Sequence, residues 1–370
     1  MSPGGDVAVI GGGLIGLSIA FELAERGAAV RVYDRDEPAR AASWAGAGML
    51  SPHAEPIDEA LLRLCEESLE AYPAFVARVR DASGVDPHLH LNGHVHAAFD
   101  DLALERMRER ADALRTRGVA CEVLDRARLL ATEPWLGAHA TGALAIAGEG
   151  QVDNRLLGRA LIAACAARGV SVTRVASLRV ECDKRRVLGV RNDFGFTPAA
   201  AVVNACGAWS AALAGIPDEA RPAVEPFKGQ MLALQAPVDL VRRSTWLPNA
   251  YVVPRDDGRL LIGATVERAH ADTRVTSEGL HRLLHAALDS APALAGFAVT
   301  ETWAGVRPGS ADGLPFIGPT PIDGLYVATG HFKNGILLSA VTARLVAEAI
   351  AGNADPQLAA FSLHRRMKAS

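Results

Sequence analysis

The chain has 370 residues, 49% of them hydrophobic and 22% charged, with a formal net charge of −4. That length allows two or three domains and a core that needs no disulfide or metal to hold it, and the composition excludes a disordered or fibrous chain. The weak negative charge excludes a global basic field that would recruit nucleic acid or anionic lipid, and the 38 basic residues are mostly scattered arginines, which reads as codon bias.

Residues 6–10 form a β-branched run suited to a buried parallel strand. Gly11-Gly12-Gly13-Leu14-Ile15-Gly16 follows, residues 17–26 have helical spacing, and Gly27 closes that helix. A second strand over 29–33 ends on Asp34, completing a βαβ unit. Residues 38–56 read as an Ala/Gly/Ser-rich loop and residues 58–81 as a helix. The alternation over 88–99 reads as a strand that puts His88, His90, His94 and His96 on one face. No cysteine or loop carboxylate accompanies them, so they read as a solvated face and no metal site is expected. A charged helix over 101–117 follows. Asp153-Asn154 starts a helix that runs to Arg168 and stops at Gly169, ahead of strands over 170–175 and 200–204.

The apolar stretch 199–216 is too rich in Ala and Gly for a membrane span, which wants about 20 strongly apolar residues, and reads as a buried strand running into a helix. Residues 222–303 are strand-rich, with strands over 231–234, 251–253 and 260–264. Residues 303–318 carry so much Gly and Pro that regular structure is not expected there. A strand over 325–329, Gly330 and a long helix from Ile336 restore the nucleotide-binding texture. The five cysteines (Cys65, Cys121, Cys165, Cys182, Cys206) have no metal or redox spacing, so they read as free thiols in a reducing compartment. With no basic segment ahead of the first apolar run, the protein is expected in the cytoplasm, without a membrane partner.

Gly11-x-Gly13-x-x-Gly16 between strand and helix fits a dinucleotide fingerprint: a tight turn, close approach to a pyrophosphate, and close packing of helix on strand. Asp34 stands where a carboxylate accepts from ribose hydroxyls. The motif leaves NAD and FAD both open. Arg307 is the side chain type that binds a carboxylate in bidentate fashion, though taken alone it reads better as an ordinary loop arginine. No Ser/His/Asp order or HExxH pattern occurs, so no catalytic side chain is identified.

Taken together, GGGLIG with Asp34, ASWAGAGML (42–50), KGQM (228–231), YVVPR (251–255), TWAGVRPGSADGLPFIG (302–318) and GHFKNGILLSA (330–340) resemble, in order, the D-amino-acid-oxidase-like flavoprotein superfamily. Within it they resemble the glycine oxidase branch tied to thiazole and thiamine synthesis. The resemblance implies an α/β fold, with a Rossmann-like FAD-binding domain (1–87, 148–222, 304–370) interleaved with a smaller α+β substrate-binding domain built on an antiparallel sheet (88–147, 223–303). It implies non-covalent FAD, since no cysteine follows Cys206. Gly11, Gly13, Leu14, Ile15 and Gly16 would lie at the pyrophosphate and Asp34 and Arg35 at the adenosine ribose, with Val175 and Gly207 lining adenine and pyrophosphate. Ala42, Ser43, Ala47, Gly48, Met49 and Leu50 would approach the isoalloxazine, and Gly330, His331, Phe332, Lys333, Asn334, Gly335, Ile336 and Leu337 its pyrimidine side.

For substrate, the resemblance implies Arg307 at the carboxylate, with Tyr251, Lys333 and Met49 completing the pocket. Two departures stand out: Asp34 replaces the usual Glu, and Lys333 the usual Arg. The implied reaction is oxidative deamination, by the flavin, of glycine, other small amines or D-amino acids to a 2-oxo acid, ammonia and hydrogen peroxide. Dioxygen is the acceptor, the imine is handed to thiazole synthase, and the enzyme is a homo-oligomer. Oxidation of sarcosine or another N-methyl amino acid and D-amino acid dehydrogenation remain alternatives. A flavin domain acting on modified tRNA is a different class, disfavoured by the charge, and no nucleic acid partner is expected.

Overall fold

The computed structural model describes residues 6–183, 185–268 and 272–365. Four-residue runs such as Val7–Ile10 and Ala201–Asn204 are buried at every position, as central parallel strands require. They belong to a six-stranded sheet that also holds Leu325–Thr329, Val30–Asp34 and Ser171–Arg174 in parallel, with Phe316–Pro319 antiparallel at one edge. Side-chain alternation splits Val7–Ile10 between two cores. Val7 and Val9 pack with the helices Leu14–Glu25, Glu59–Ser83, Asn154–Ala167 and Ser339–Ile350. Ala8 and Ile10 face the opposite layer, where the three-stranded sheet of Leu178–Asp183, Arg186–Asn192 and Gly195–Pro198 lies.

The second large sheet has nine strands, mostly antiparallel. Its core packs against the helix Ser277–Ser290. Its longest strands, Val224–Gln235 and Ala298–Ser310, pair along almost their whole length.

Several expectations change. The Gly/Pro-rich segment after Trp303 is regular structure: Ala298–Ser310 is one strand. Its glycines are there for packing. A Cβ on Gly305 would meet Ala45 Cβ at 2.3 Å, and one on Gly309 would meet the Phe227 ring at 2.5 Å. This strand continues through the boundary expected between 303 and 304, so Arg307 is carried by the strand-rich sheet; the outermost expected ends, 1–5 and 366–370, lie outside the described residues.

The histidine strand shrinks to His94–Ala98, and His94 and His96 are buried rather than solvated. The reason is that this strand is paired on both edges inside the sheet. His88 leaves the strand at φ +52, and His90 bonds Asp256 at 2.8 Å. Residues after Asn204 form a 3-10 turn, Gly207–Ala212, instead of an α-helix. The C-terminal helix begins at Ser339, after a short turn Phe332–Asn334, not at Ile336. Among the described residues, no helix is long and apolar enough to cross a membrane, and no group of three or more His, Cys, Asp or Glu could hold a metal.

Candidate active site

A cleft of about 780 Å³ opens at the carboxyl ends of the parallel strands and extends to the nine-stranded sheet, the position at which open α/β sheets take ligands. At one end, Gly11 adopts φ +110, and a Cβ there would come within 2.3 Å of the Ala205 carbonyl oxygen. A Cβ on Gly16 would sit 1.9 Å from the Gly11 oxygen, so only glycine lets helix and loop approach this closely. The first-turn N–H groups of Leu14–Glu25 have no carbonyl of their own helix to meet. The Leu14 N–H donates to Ser43 Oγ at 2.9 Å. Asp34 braces the loop: Oδ2 accepts from Gly12 N–H at 2.6 Å and Oδ1 from Asp36 N–H at 3.0 Å. This glycine cradle, a helix N-terminus and an adjoining carboxylate fit the pyrophosphate and ribose of a dinucleotide.

The middle of the cleft is the 42–50 segment, folded as a short helix Ala42–Ala45 and a strand Met49–Leu50. It is held from behind by three side chains that carried no expected role at the site. Asn154 Nδ2 donates to the Ser43 carbonyl at 2.8 Å, and Trp303 Nε1 to the Ala45 carbonyl at 3.0 Å. Arg255 is the third. Its buried guanidinium donates to the Ala47 carbonyl and to Gln151 Oε1, both at 2.8 Å, and to Asn154 Oδ1 at 3.0 Å. Burial pulls the Arg255 guanidinium down to about 10, which leaves it charged at neutral pH. In sequence Arg255 is the charged end of the YVVPR segment, with nothing local to show that it turns inward.

Arg307 stands at the other end, half-buried, with Nη1 on the Thr265 carbonyl at 3.2 Å. Its guanidinium lies over Gly229, where a Cβ would meet it at 2.4 Å. Among the described residues, no carboxylate makes an ion pair with it. Burial pushes the neighbouring Tyr251 phenol up, while the Arg307 charge pulls it partly back. Trp246 packs edge-on to Tyr251, with ring centres 5.3 Å apart, and stacks on the buried His96 at 5.6 Å. His331 lines the cleft as a neutral imidazole: burial holds it down to about 3, and Nε2 meets Thr342 Oγ1 at 3.1 Å.

Of the residues expected at the site, Gly11, Gly13, Leu14, Ile15, Asp34, Arg35, Ala42, Ser43, Ala47, Gly48, Met49, Val175, Gly207, Tyr251, Arg307 and the run from His331 to Ile336 all line this one cleft. Four do not. Leu50 and Leu337 are fully buried in the helical core, Gly16 serves the helix–loop contact, and Gly330 makes the strand-to-turn bend at φ +79. Lys333 lines the cleft, and its Nζ is 2.7 Å from Glu55 Oε2, so its charge is already answered by this protein.

Residues 6–349 match the FAD dependent oxidoreductase family model. The chain is 36% identical to a glycine oxidase of Geobacillus kaustophilus over 98% of this chain and 97% of that protein. It is 35% identical to the bifunctional protein ThiO/ThiG of Trichormus variabilis, of which it spans only 55%. The crystal structure of glycine oxidase from Geobacillus kaustophilus superposes with a TM-score of 0.90 at 34% identity, covering 98% of this chain and all of that one.

Proposed function

The chain belongs to the FAD-dependent oxidoreductase family, and we propose that within it the protein is a glycine oxidase, converting glycine, water and dioxygen to glyoxylate, ammonia and hydrogen peroxide. When bound, FAD supplies the two-electron oxidation of the amino acid Cα–N bond, and dioxygen takes up those electrons. The chain's own residues bind and orient. Arg307 receives the substrate carboxylate as a planar two-donor fork, and the protonated Tyr251 phenol beside it offers a further donor. Trp246 and Tyr251 form an apolar wall that keeps water from the amine. The Arg307 charge disfavours an ammonium nearby, so the amine reacts in its neutral form, its proton lost to solvent.

FAD is held without a covalent bond. Burial pushes the Cys206 thiol, which lines the cleft, up to about 12, and it donates to the Ile10 carbonyl at 3.3 Å. We place the protein in the cytoplasm as a homo-oligomer, and the name of the bifunctional relative supports a hand-over of the imine to a thiazole synthase. The observation that carries the activity is Arg307, free of any carboxylate partner among the described residues, in the same cleft as the glycine cradle. The test is peroxide release and oxygen uptake with glycine, sarcosine and D-alanine. Glycine should give the highest kcat/KM. No peroxide from glycine overturns the reading, and peroxide from sarcosine alone moves the protein to N-methyl amino acid oxidation.

A further inference from the structure

Among the described residues, three charged side chains stand at the substrate end of the cleft: Arg307, Lys333 and Glu55. Lys333 belongs to the same corner as Arg307. Its neighbour Phe332 packs edge-on against Phe227 with ring centres 5.0 Å apart, and Phe227 is the cross-strand partner of Arg307. Glu55 reaches over from the 51–57 segment and takes the Lys333 ammonium at 2.7 Å, with both side chains about half exposed at the mouth. The 51–57 segment is fixed from below. His53 N–H and Nδ1 both contact Glu149 Oε1, at 2.9 and 2.8 Å, and Arg110 Nη2 donates to the Ala54 carbonyl at 2.9 Å. Glu55 is therefore presented by a braced loop rather than a free one.

We propose that Glu55 sets the charge of the substrate this cleft accepts. Resting on the reading of the cleft as an amino acid oxidase site, the pair leaves Arg307 as the one cation there without a carboxylate partner among the described residues. A substrate with a single carboxylate is matched by Arg307 alone. A second carboxylate on the amine substituent or side chain meets a lysine already neutralised and a glutamate that repels it, an arrangement that selects by penalty as well as by attraction. Glu55 is thus a specificity-determining residue for small monocarboxylates, and Lys333 is a latent second carboxylate site.

The experiment titrates holoenzyme with acetate and malonate, read from the flavin absorption spectrum, and compares the ratio of the two dissociation constants. In Glu55→Gln the ratio should move about fivefold toward malonate, the range a half-exposed charge commands. The shift should disappear in the double variant Glu55→Gln/Lys333→Met and shrink with added salt. Glu55→Ala serves as the second single variant and should give the same direction. A ratio unmoved in both single variants overturns the proposal, as does a shift that survives loss of Lys333. The readout needs no turnover: a wild type that fails to oxidise glycine, together with a Glu55→Gln variant that shows the shift, removes the activity reading and leaves the charge selection standing.

Discussion

Arg307 shows how much one residue's setting matters. In sequence it sits among Gly and Pro, which makes a surface loop the natural reading. In the fold it lies on the strand Ala298–Ser310, over Gly229, half-buried in the cleft. Removing a charged hydrogen-bonding partner costs roughly 1.5–3 kcal/mol, or about one to two decades of binding, and a misoriented substrate loses turnover as well. Arg307→Ala should therefore raise KM for glycine and lower kcat together, with FAD content unchanged, and steady-state kinetics on the flavin-loaded variant will show it. Lys333 went the other way. Its place near the flavin motif was legible, but its partner, Glu55, lies 278 positions away in sequence, and no local pattern could reveal that pairing.

At the scale of elements, the 42–50 segment reads in sequence as a flexible Ala/Gly loop, yet Arg255, Asn154 and Trp303 fix its carbonyls. Arg255→Met would leave the Ala47 carbonyl, Gln151 Oε1 and Asn154 Oδ1 short of a buried donor, at a cost of about 3 kcal/mol. Titration of the stripped protein with FAD should then give a dissociation constant raised tenfold or more, together with a lower Tm. Gly48 offers an independent check. It adopts φ +73, and a Cβ there would sit 1.9 Å from the Val152 carbonyl oxygen. Gly48→Ala must displace the strand Met49–Leu50, and should lower both Tm and FAD content; normal values for both would mean that the segment tolerates movement.

At the scale of the whole molecule, the cleft exists because two sheets meet, and a buried polar cluster holds one wall. Glu149 is buried against His53 and His94, with His94 Nδ1 3.3 Å from Oε2. Burial alone would push the Glu149 carboxyl up, but its hydrogen bonds from His53 and the nearby His94 imidazole outweigh that and hold it at about 2. For His53, burial pulls the imidazole down, and the bonds to Glu149 and Glu66 more than reverse it, leaving it above its ordinary 6.5. The signs follow from linkage. The Glu149 contribution is complete above pH 4.5 and lost as pH falls toward 2, whereas that of His53 is complete below 6.5 and lost as pH rises through its elevated folded value. Tm should therefore decline on the alkaline side, and His53→Gln should flatten that slope. A wild-type Tm independent of pH above 6.5 would contradict the pairing.

The βαβ opening, the glycine cradle with Asp34, the helices that begin at Asp58 and Asp153, and the nucleotide-binding texture at both ends of the chain were all readable from residue order. These are legible because strand and helix periods and glycine turns are local requirements, satisfied within a few residues. Tertiary structure alone decided that the segment after Trp303 is a strand, because its glycines answer to Ala45 and Phe227 across space. It alone buried His94 and His96 inside a sheet, tied Lys333 to Glu55 and set Arg255 behind the 42–50 segment. Each of those outcomes depends on a partner distant in the chain, and the chemistry of a charged side chain is fixed by that partner rather than by its sequence neighbours.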